Sequence, residues 1–136
     1  MNMATRIALI FFLFPLALSC SKDDTDDRNK FTGRYEVREQ SMETFAARED
    51  YEARIRKDPE TEDGVVISNF YNFDIDVMAS VEGNDLFIFP QEYNIFEFEG
   101  QGTLSGSIIT LEYTVRSLPG ESYFFDRLQA EMTLKE

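Results

Sequence analysis

Residues 73–90, F-D-I-D-V-M-A-S-V-E-G-N-D-L-F-I-F-P, decide the fold. In the first half of this stretch every second residue is apolar, which is the period of a β-strand with one buried face. Gly83-Asn84 then suits a two-residue hairpin turn, because both residues adopt positive φ angles readily. A turn at this point pairs apolar residues across the two strands: Val81 with Leu86, and Ala79 with Ile88.

The same period of two recurs from Phe31 to the end of the chain. Alternating stretches cover residues 31–38, 51–56, 96–102, 109–115 and 128–135. Short apolar runs at Val65–Ser68 and Leu86–Pro90 bring the total to about eight strands. Helix is expected only in the short stretch Met42–Arg48.

Ser105-Gly106 marks a second turn, for which the sequence leaves two registers open. A two-residue loop pairs Phe98 with Tyr113, whereas a four-residue loop places Gly100 opposite Tyr113. In both registers Gly100 and Gly102 face inward, where a missing side chain lets the sheet bend.

Eight sequential antiparallel strands of this length predict an all-β fold, a small up-and-down barrel over residues 31–136. Closure of the sheet is favoured because it removes exposed strand edges. A β-sandwich is the alternative. Large rings on the inward faces would fill so shallow a barrel. The inward-facing aromatic residues are expected to be Phe31, Tyr35, Tyr51, Phe73, Phe96, Phe98 and Tyr113.

Composition excludes several classes of function. The 136 residues include no His and one Cys, and their formal net charge is −13. The lack of His excludes a Ser-His-Asp triad and His-ligated zinc or haem, and one Cys excludes an internal disulfide. So acidic a chain is a poor match for nucleic acid. A carboxylate enzyme needs two acidic side chains that face each other across a cleft. Asp126 is the one acid whose place in the strand alternation points it inward, near a mouth of the barrel. We therefore expect neither an enzyme nor a bound metal or cofactor.

The first nineteen residues predict a lipoprotein signal peptide. Arg6 precedes the apolar run Ile7–Leu18, and the small residues Ala17 and Ser19 stand at positions −3 and −1 of a cleavage site before Cys20. The thiol of Cys20 is the expected acceptor of a diacylglyceryl anchor. Residues 20–30 are then the lipidated Cys and a flexible acidic tether.

Leu16–Cys20 resembles a bacterial lipobox, with Ala17 where Leu is usual. The acidic stretch after the Cys resembles the surface-export signal of Bacteroidota lipoproteins. This resemblance implies a protein anchored in the cell outer membrane and facing the extracellular surface. The export signal consists of Ser21, Lys22, Asp23 and Asp24.

The mature chain also resembles small lipocalin-like lipoproteins of Bacteroidota, although the late Cys typical of that family is absent. The matching pieces are Phe31–Tyr35, Ile67–Asn72, Val81–Asn84, Gly100–Gly102 and Ile109–Tyr113. The resemblance implies a lipocalin-like barrel. The resemblance and the outward-facing aromatic pair Phe87 and Phe89 together favour a non-enzymatic accessory subunit of an outer-membrane complex, such as a nutrient importer or an assembly machine.

Two groups of residues are candidate binding sites. If Leu86 points inward, Phe87 and Phe89 point outward beside Met78 and form an apolar patch for a partner protein. Coverage by a loop such as residues 42–50, or an inverted register, would remove this patch. The second group lies near strand ends and is a candidate for binding a sugar, peptide or lipid at the barrel mouth. It consists of Tyr71, Tyr93, Tyr123, Phe124 and Asp126.

Charge is distributed unevenly along the folded part of the chain. No Lys or Arg occurs from Asp58 to Val115, although this stretch holds 12 acidic residues. One wall of the barrel is therefore expected to be acidic. Such a wall attracts basic partners or divalent cations, or it serves solubility alone.

Overall fold

The structure is a computed structural model that describes residues 26–135. The predictions for the signal peptide, Cys20 and the export signal lie outside the described residues. Eight antiparallel strands form a closed barrel in which each strand pairs with its neighbours along the chain and the last strand pairs with the first. The predicted up-and-down barrel is confirmed, and the β-sandwich is excluded. The strands are β1 (Gly33–Ser41), β2 (Tyr51–Lys57), β3 (Gly64–Phe70), β4 (Ile75–Glu82), β5 (Asp85–Tyr93), β6 (Phe96–Ser105), β7 (Ile108–Ser117) and β8 (Phe125–Leu134).

Because successive strands run in opposite directions, alternate connections meet at the same end of the barrel. The end that we call basal carries the N-terminal segment and the connections 58–63, 83–84 and 106–107. The opposite end, the loop end, carries the connections 42–50, 71–74, 94–95 and 118–124. The longer connections at the loop end offer more surface that is not part of the sheet.

Most of the predicted inward residues lie in the core. Phe31, Tyr35, Phe98 and Tyr113 are buried, and Tyr51 and Phe96 are half-buried against them. The prediction for Phe73 is wrong, because its side chain is 46% exposed.

Phe73 lies in the connection 71–74, before β4 begins, so it does not follow the alternation of that strand. The pairing of β3 with β4 shifts register between Ser68 and Phe70, and Tyr71 and Asn72 then have positive φ angles. A shift of one residue exchanges the two faces of a strand. Phe70 and Tyr71 consequently occupy the core in place of Phe73.

The turn of the first predicted hairpin is confirmed, but the pairing of its two strands is shorter than predicted. Val81 pairs with Leu86, but the ladder between β4 and β5 stops at Ser80↔Phe87, before the predicted pair of Ala79 with Ile88. The cause is a bulge in β5 between Ile88 and Gln91, which includes a proline that has no N–H to donate.

A side chain replaces the backbone where this ladder ends. The amide of Gln91 accepts a hydrogen bond from the N–H of Met78 at 2.8 Å and donates one to its carbonyl at 2.7 Å. Both polar groups of Met78 are thus paired, which keeps the seam between β4 and β5 closed.

The structure decides between the two registers left open for β6 and β7. Gly100 lies opposite Tyr113, and the turn consists of Gly106 and Ser107. Gly106 has a φ of +62°, a conformation that glycine adopts without steric cost. The turn is therefore a two-residue one placed one position later than Ser105-Gly106.

The last residues of the predicted tether belong to the folded body. Asp27–Lys30 form a short 3-10 helix with Asp26 as its N-cap. The guanidinium of Arg28 donates hydrogen bonds to the carbonyls of Asp58, Thr61 and Gly64 at 3.0, 2.8 and 3.1 Å. These contacts attach the segment to the basal end, immediately before the predicted start of the barrel domain at residue 31.

The stretch Met42–Arg48 is not a helix. The hydroxyl of Ser41 accepts hydrogen bonds from the N–H groups of Glu43 and Thr44, and Gln40 forms an isolated bridge with Ala47. The backbone at both ends of this stretch is thereby bonded to the end of β1, which holds it as a turn and not as a helix.

Gly100 sits where two strands approach closely. A Cβ atom at this position would lie 2.5 Å from the carbonyl oxygen of Glu112 and 2.5 Å from the Cβ of Tyr113. We expect Gly100→Ala to lower the free energy of unfolding by about 1–3 kcal/mol, because the backbone has to move apart. Urea denaturation measures the change. Gln101→Ala, at an exposed position of the same strand, is the control. Equal stability of the two variants would contradict the close approach.

Candidate functional site

A carboxylate lies inside the barrel near the loop end. The side chain of Glu39 is 0% exposed. Glu39 lies on the same inward face of β1 as Tyr35 and Val37, and the alternation of buried and exposed residues continues to Ser41. The sequence prediction missed Glu39 because it ended this strand at Arg38. Extending the same alternation by one residue would have identified it.

Three side chains surround the Glu39 carboxylate. The hydroxyl of Tyr113 donates to it at 2.5 Å, and the hydroxyl of Tyr51 donates at 3.0 Å. The guanidinium of Arg48, from the connection 42–50, forms an ion pair with it. A buried carboxylate is tolerated when it is paired and fully hydrogen-bonded, as here.

Burial raises the pKa of Glu39, and this effect exceeds the opposing effects of the Tyr113 hydroxyl and the Arg48 charge. Burial also raises the pKa of Tyr51 and the pKa of Tyr113, and the neighbouring Glu39 charge adds to both shifts. The two phenols therefore remain protonated at neutral pH and keep donating to the carboxylate.

Arg48 also fastens the connection 42–50 across the loop end. Its guanidinium donates to the carbonyl of Tyr71 at 3.0 Å and lies 3.9 Å from the centroid of the Tyr71 ring. This is a cation–π contact in addition to a hydrogen bond. Tyr71, predicted as a ligand contact, is only 6% exposed, and its carbonyl and ring are bound by Arg48.

A chain of aromatic contacts leads from Tyr71 to the surface. The ring centroids of Tyr71 and Phe73 are 4.5 Å apart, those of Phe73 and Phe96 are 6.2 Å apart, and those of Phe96 and Phe124 are 5.8 Å apart. Phe73 and Phe124 are 46% and 39% exposed. These four rings, the mouth cluster, present an aromatic edge to solvent at the loop end.

The remaining predicted mouth residues lie apart from this cluster. Tyr93 and Tyr123 are 47% and 90% exposed, and no ring contact among residues 26–135 joins them to it. Asp126 is half-buried and accepts a hydrogen bond from the hydroxyl of Ser41 at 2.6 Å. Asp126 thus pairs with a neighbouring strand end.

Large side chains occupy the centre of the barrel. Tyr35, Tyr113, Phe31 and Phe98 are each at most 2% exposed. The buried hydroxyl of Tyr35 donates to the carbonyl of Phe31 at 2.8 Å, and burial raises the pKa of Tyr35 to about 12. A ligand inside the barrel would have to displace these residues, at the cost of their packing.

The outward orientation of Phe87 and Phe89 is confirmed. Their side chains are 42% and 51% exposed, and Met78 beside them is half-buried. The connection 42–50 does not cover them, because it bonds to the end of β1 and to the carbonyl of Arg127 on β8. Met78, Phe87 and Phe89 form the wall patch, and its binding role stays a prediction.

Comparisons of the chain with protein-family models, with curated proteins and with solved structures found no match. Among residues 26–135, no helix is long and apolar enough to cross a bilayer.

The Glu39 site makes stability depend on pH. Because the pKa of Glu39 is raised above its ordinary value of 4.5 in the folded state, the folded protein holds this proton more tightly than the unfolded chain. Its contribution to stability is complete below pH 4.5 and is lost as the pH rises through the folded-state pKa. We expect Glu39→Gln to remove this loss, so that the variant gains stability relative to the wild type as the pH rises.

Urea denaturation at a series of pH values from 4 to 8 measures this difference. Glu36→Gln, at an exposed position of the same strand, is the matched control and should not change with pH in the same way. Parallel curves for the wild type and Glu39→Gln would contradict the raised pKa.

Proposed function

We propose that this protein is a non-enzymatic lipoprotein of the outer-membrane surface and an accessory subunit of an outer-membrane complex, such as a nutrient importer or an assembly machine. One observation supports this most: the barrel interior is filled with side chains, while Phe87 and Phe89 remain exposed on the wall. A protein with this distribution has its binding surface on the outside. Exposed apolar patches of this kind are typical of protein contacts.

The position of the N-terminal segment supports attachment at the basal end. Asp26–Lys30 contacts the connections at that end through Arg28. Cys20 precedes Asp26 by six residues, a length of chain that reaches about 20 Å at most. If Cys20 carries the lipid, the barrel stands close to the membrane, with its basal end nearest and its loop end facing away. The wall patch is then within reach of a partner embedded in the same membrane.

The buried acid favours a non-catalytic role. Glu39 is enclosed and bonded to Tyr51, Tyr113 and Arg48, so that no substrate reaches it without opening the connection 42–50. Asp126, the acid predicted to face inward, bonds to Ser41. Glycosidase-type chemistry needs two accessible carboxyl groups across a cleft. Glu39 and Asp126 are thus bonded to neighbouring side chains of the barrel and are positioned to stabilise the fold.

A second candidate function is the binding of a small ligand, a sugar, peptide or lipid, at the loop end. The exposed edge formed by Phe73 and Phe124 favours it. Such a ligand would lie on the mouth cluster and not in the barrel centre. Native mass spectrometry of the protein purified from cells separates the two functions, because only the second predicts a co-purifying small molecule.

The lipid anchor is tested at Cys20. We expect Cys20→Ala to move the protein from the membrane fraction to the soluble fraction and to abolish incorporation of labelled fatty acid, because no other thiol is present. Ser21→Ala is the control and should stay in the membrane fraction. Labelled fatty acid on the Cys20→Ala protein would contradict the assignment.

Docking through the wall patch is tested with Phe87→Glu. A carboxylate in a buried contact is desolvated, so we expect the variant to lose its partner when the lipidated protein is cross-linked in cells and recovered in mild detergent. Phe125→Glu is the matched control, because Phe125 is 39% exposed on another part of the barrel wall. Recovery of the wild-type protein only as a monomer, or unchanged recovery of the partner with Phe87→Glu, would show that the patch does not dock.

A further inference from the structure

The outer face of β5, β6 and β7 brings acidic groups next to Phe87. Phe87 pairs with Gln101, and Gln101 pairs with Glu112, so these three side chains form one row across three strands. Asp85, Thr103 and Thr110 form the adjacent row. Neighbouring strands are about 4.8 Å apart, which places Phe87 and Glu112 about 10 Å apart on the same face.

A groove lies on this outer face, between β5 on one side and β7 on the other. It has a volume of about 450 Å³, with Phe87 and Asp85 on β5 and Glu112 and Thr110 on β7. Its middle is formed by residues of β6, including Gln101 and Thr103. An aromatic side chain and two carboxylates therefore border the same groove.

The two carboxylates have no cationic partner within residues 26–135. Asp85 and Glu112 form no ion pair in this part of the chain, and the hydroxyl of Thr103 lies 3.4 Å from Asp85. The Arg residues at the borders of the wall pair with other acids, as Arg56 does with Asp76 and Arg116 with Glu97. The negative charge of the groove is thus not neutralised by the protein itself.

Lys and Arg side chains match this surface better than other groups. Their aliphatic stems pack on an aromatic ring while their charged heads reach a neighbouring carboxylate. Anionic partners are repelled by a wall that has no Lys or Arg from Asp58 to Val115. Opposite charges also steer the encounter of two proteins before contact.

On the basis of the proposed docking function, we propose that the partner binds the wall patch with a basic polypeptide segment. Lys or Arg side chains of this segment pair with Asp85 and Glu112 in the groove, and its apolar side chains pack on Phe87, Phe89 and Met78. The negative charge beside the exposed apolar patch thus selects a partner segment that is both basic and apolar.

The test uses two synthetic peptides of nine residues, one alternating Lys with Leu and the other alternating Glu with Leu. Fluorescence anisotropy measures their binding to the purified full-length mature chain. We expect the Lys peptide to bind, its affinity to fall with added salt, and the Glu peptide not to bind. Asp85→Asn combined with Glu112→Gln should weaken binding of the Lys peptide by about tenfold. Phe87→Ser combined with Phe89→Ser should weaken it as well.

The matched control for charge is Glu36→Gln combined with Glu49→Gln, which removes two exposed acids elsewhere. This control should leave the affinity for the Lys peptide nearly unchanged. An equal loss in both double variants would overturn the proposal, because it would show attraction to the total charge and not to the groove. Urea denaturation of each variant verifies that the barrel remains folded.

The cross-linking experiment in cells separates this inference from the docking function. If Phe87→Ser with Phe89→Ser, which removes the apolar contact without adding charge, loses the partner while Asp85→Asn with Glu112→Gln retains it, docking stands and the basic character of the partner is refuted. If both variants lose the partner, the inference is supported. If neither does, the docking function itself fails.

Discussion

Closure of the sheet between β1 and β8 is the constraint on which the rest of the structure depends. Seven paired positions join the two strands, from Tyr35↔Leu134 to Ser41↔Leu128. In a closed barrel every second side chain points inward, whatever its chemistry. Glu39 falls on the inward face of β1 and is therefore buried. Tyr51, Tyr113 and Arg48 bond to it, and Arg48 in turn holds the connection 42–50 across the loop end.

The same closure moves binding to the outside of the molecule. A barrel of eight strands has room for side chains or for one small ligand, and here Tyr35, Phe31, Phe98 and Tyr113 occupy the centre. Two candidate binding surfaces on the outside are the mouth cluster and the wall patch. The wall patch differs from the mouth cluster in its surroundings, because it lies beside a groove with two carboxylates that have no ion-pair partner in the described part of the chain. Charge and apolar exposure thus coincide on one wall.

Several features of the fold could be predicted because they depend on short stretches of chain. The alternation in 73–81 and the turn at Gly83-Asn84 correctly place Val81 opposite Leu86 and leave Phe87 and Phe89 outside. The predictions were wrong where a local irregularity changed the register. The shift after Ser68 brings Phe70 into the core, while Phe73 lies in the connection before β4 and is exposed. The bulge before Gln91 ends the ladder before Ala79.

The sequence by itself determined the all-β class, the outward aromatic pair and the acidic character of one wall, since strand period and charge are properties of neighbouring residues. It also supplies the whole basis for the predicted lipid anchor at Cys20. Only the tertiary structure decided that Glu39 is enclosed, that Arg48 reaches Tyr71, and that Asp85 and Glu112 flank a groove next to Phe87. These features depend on the pairing of strands that are distant along the chain. That pairing is determined by the closure of the whole barrel.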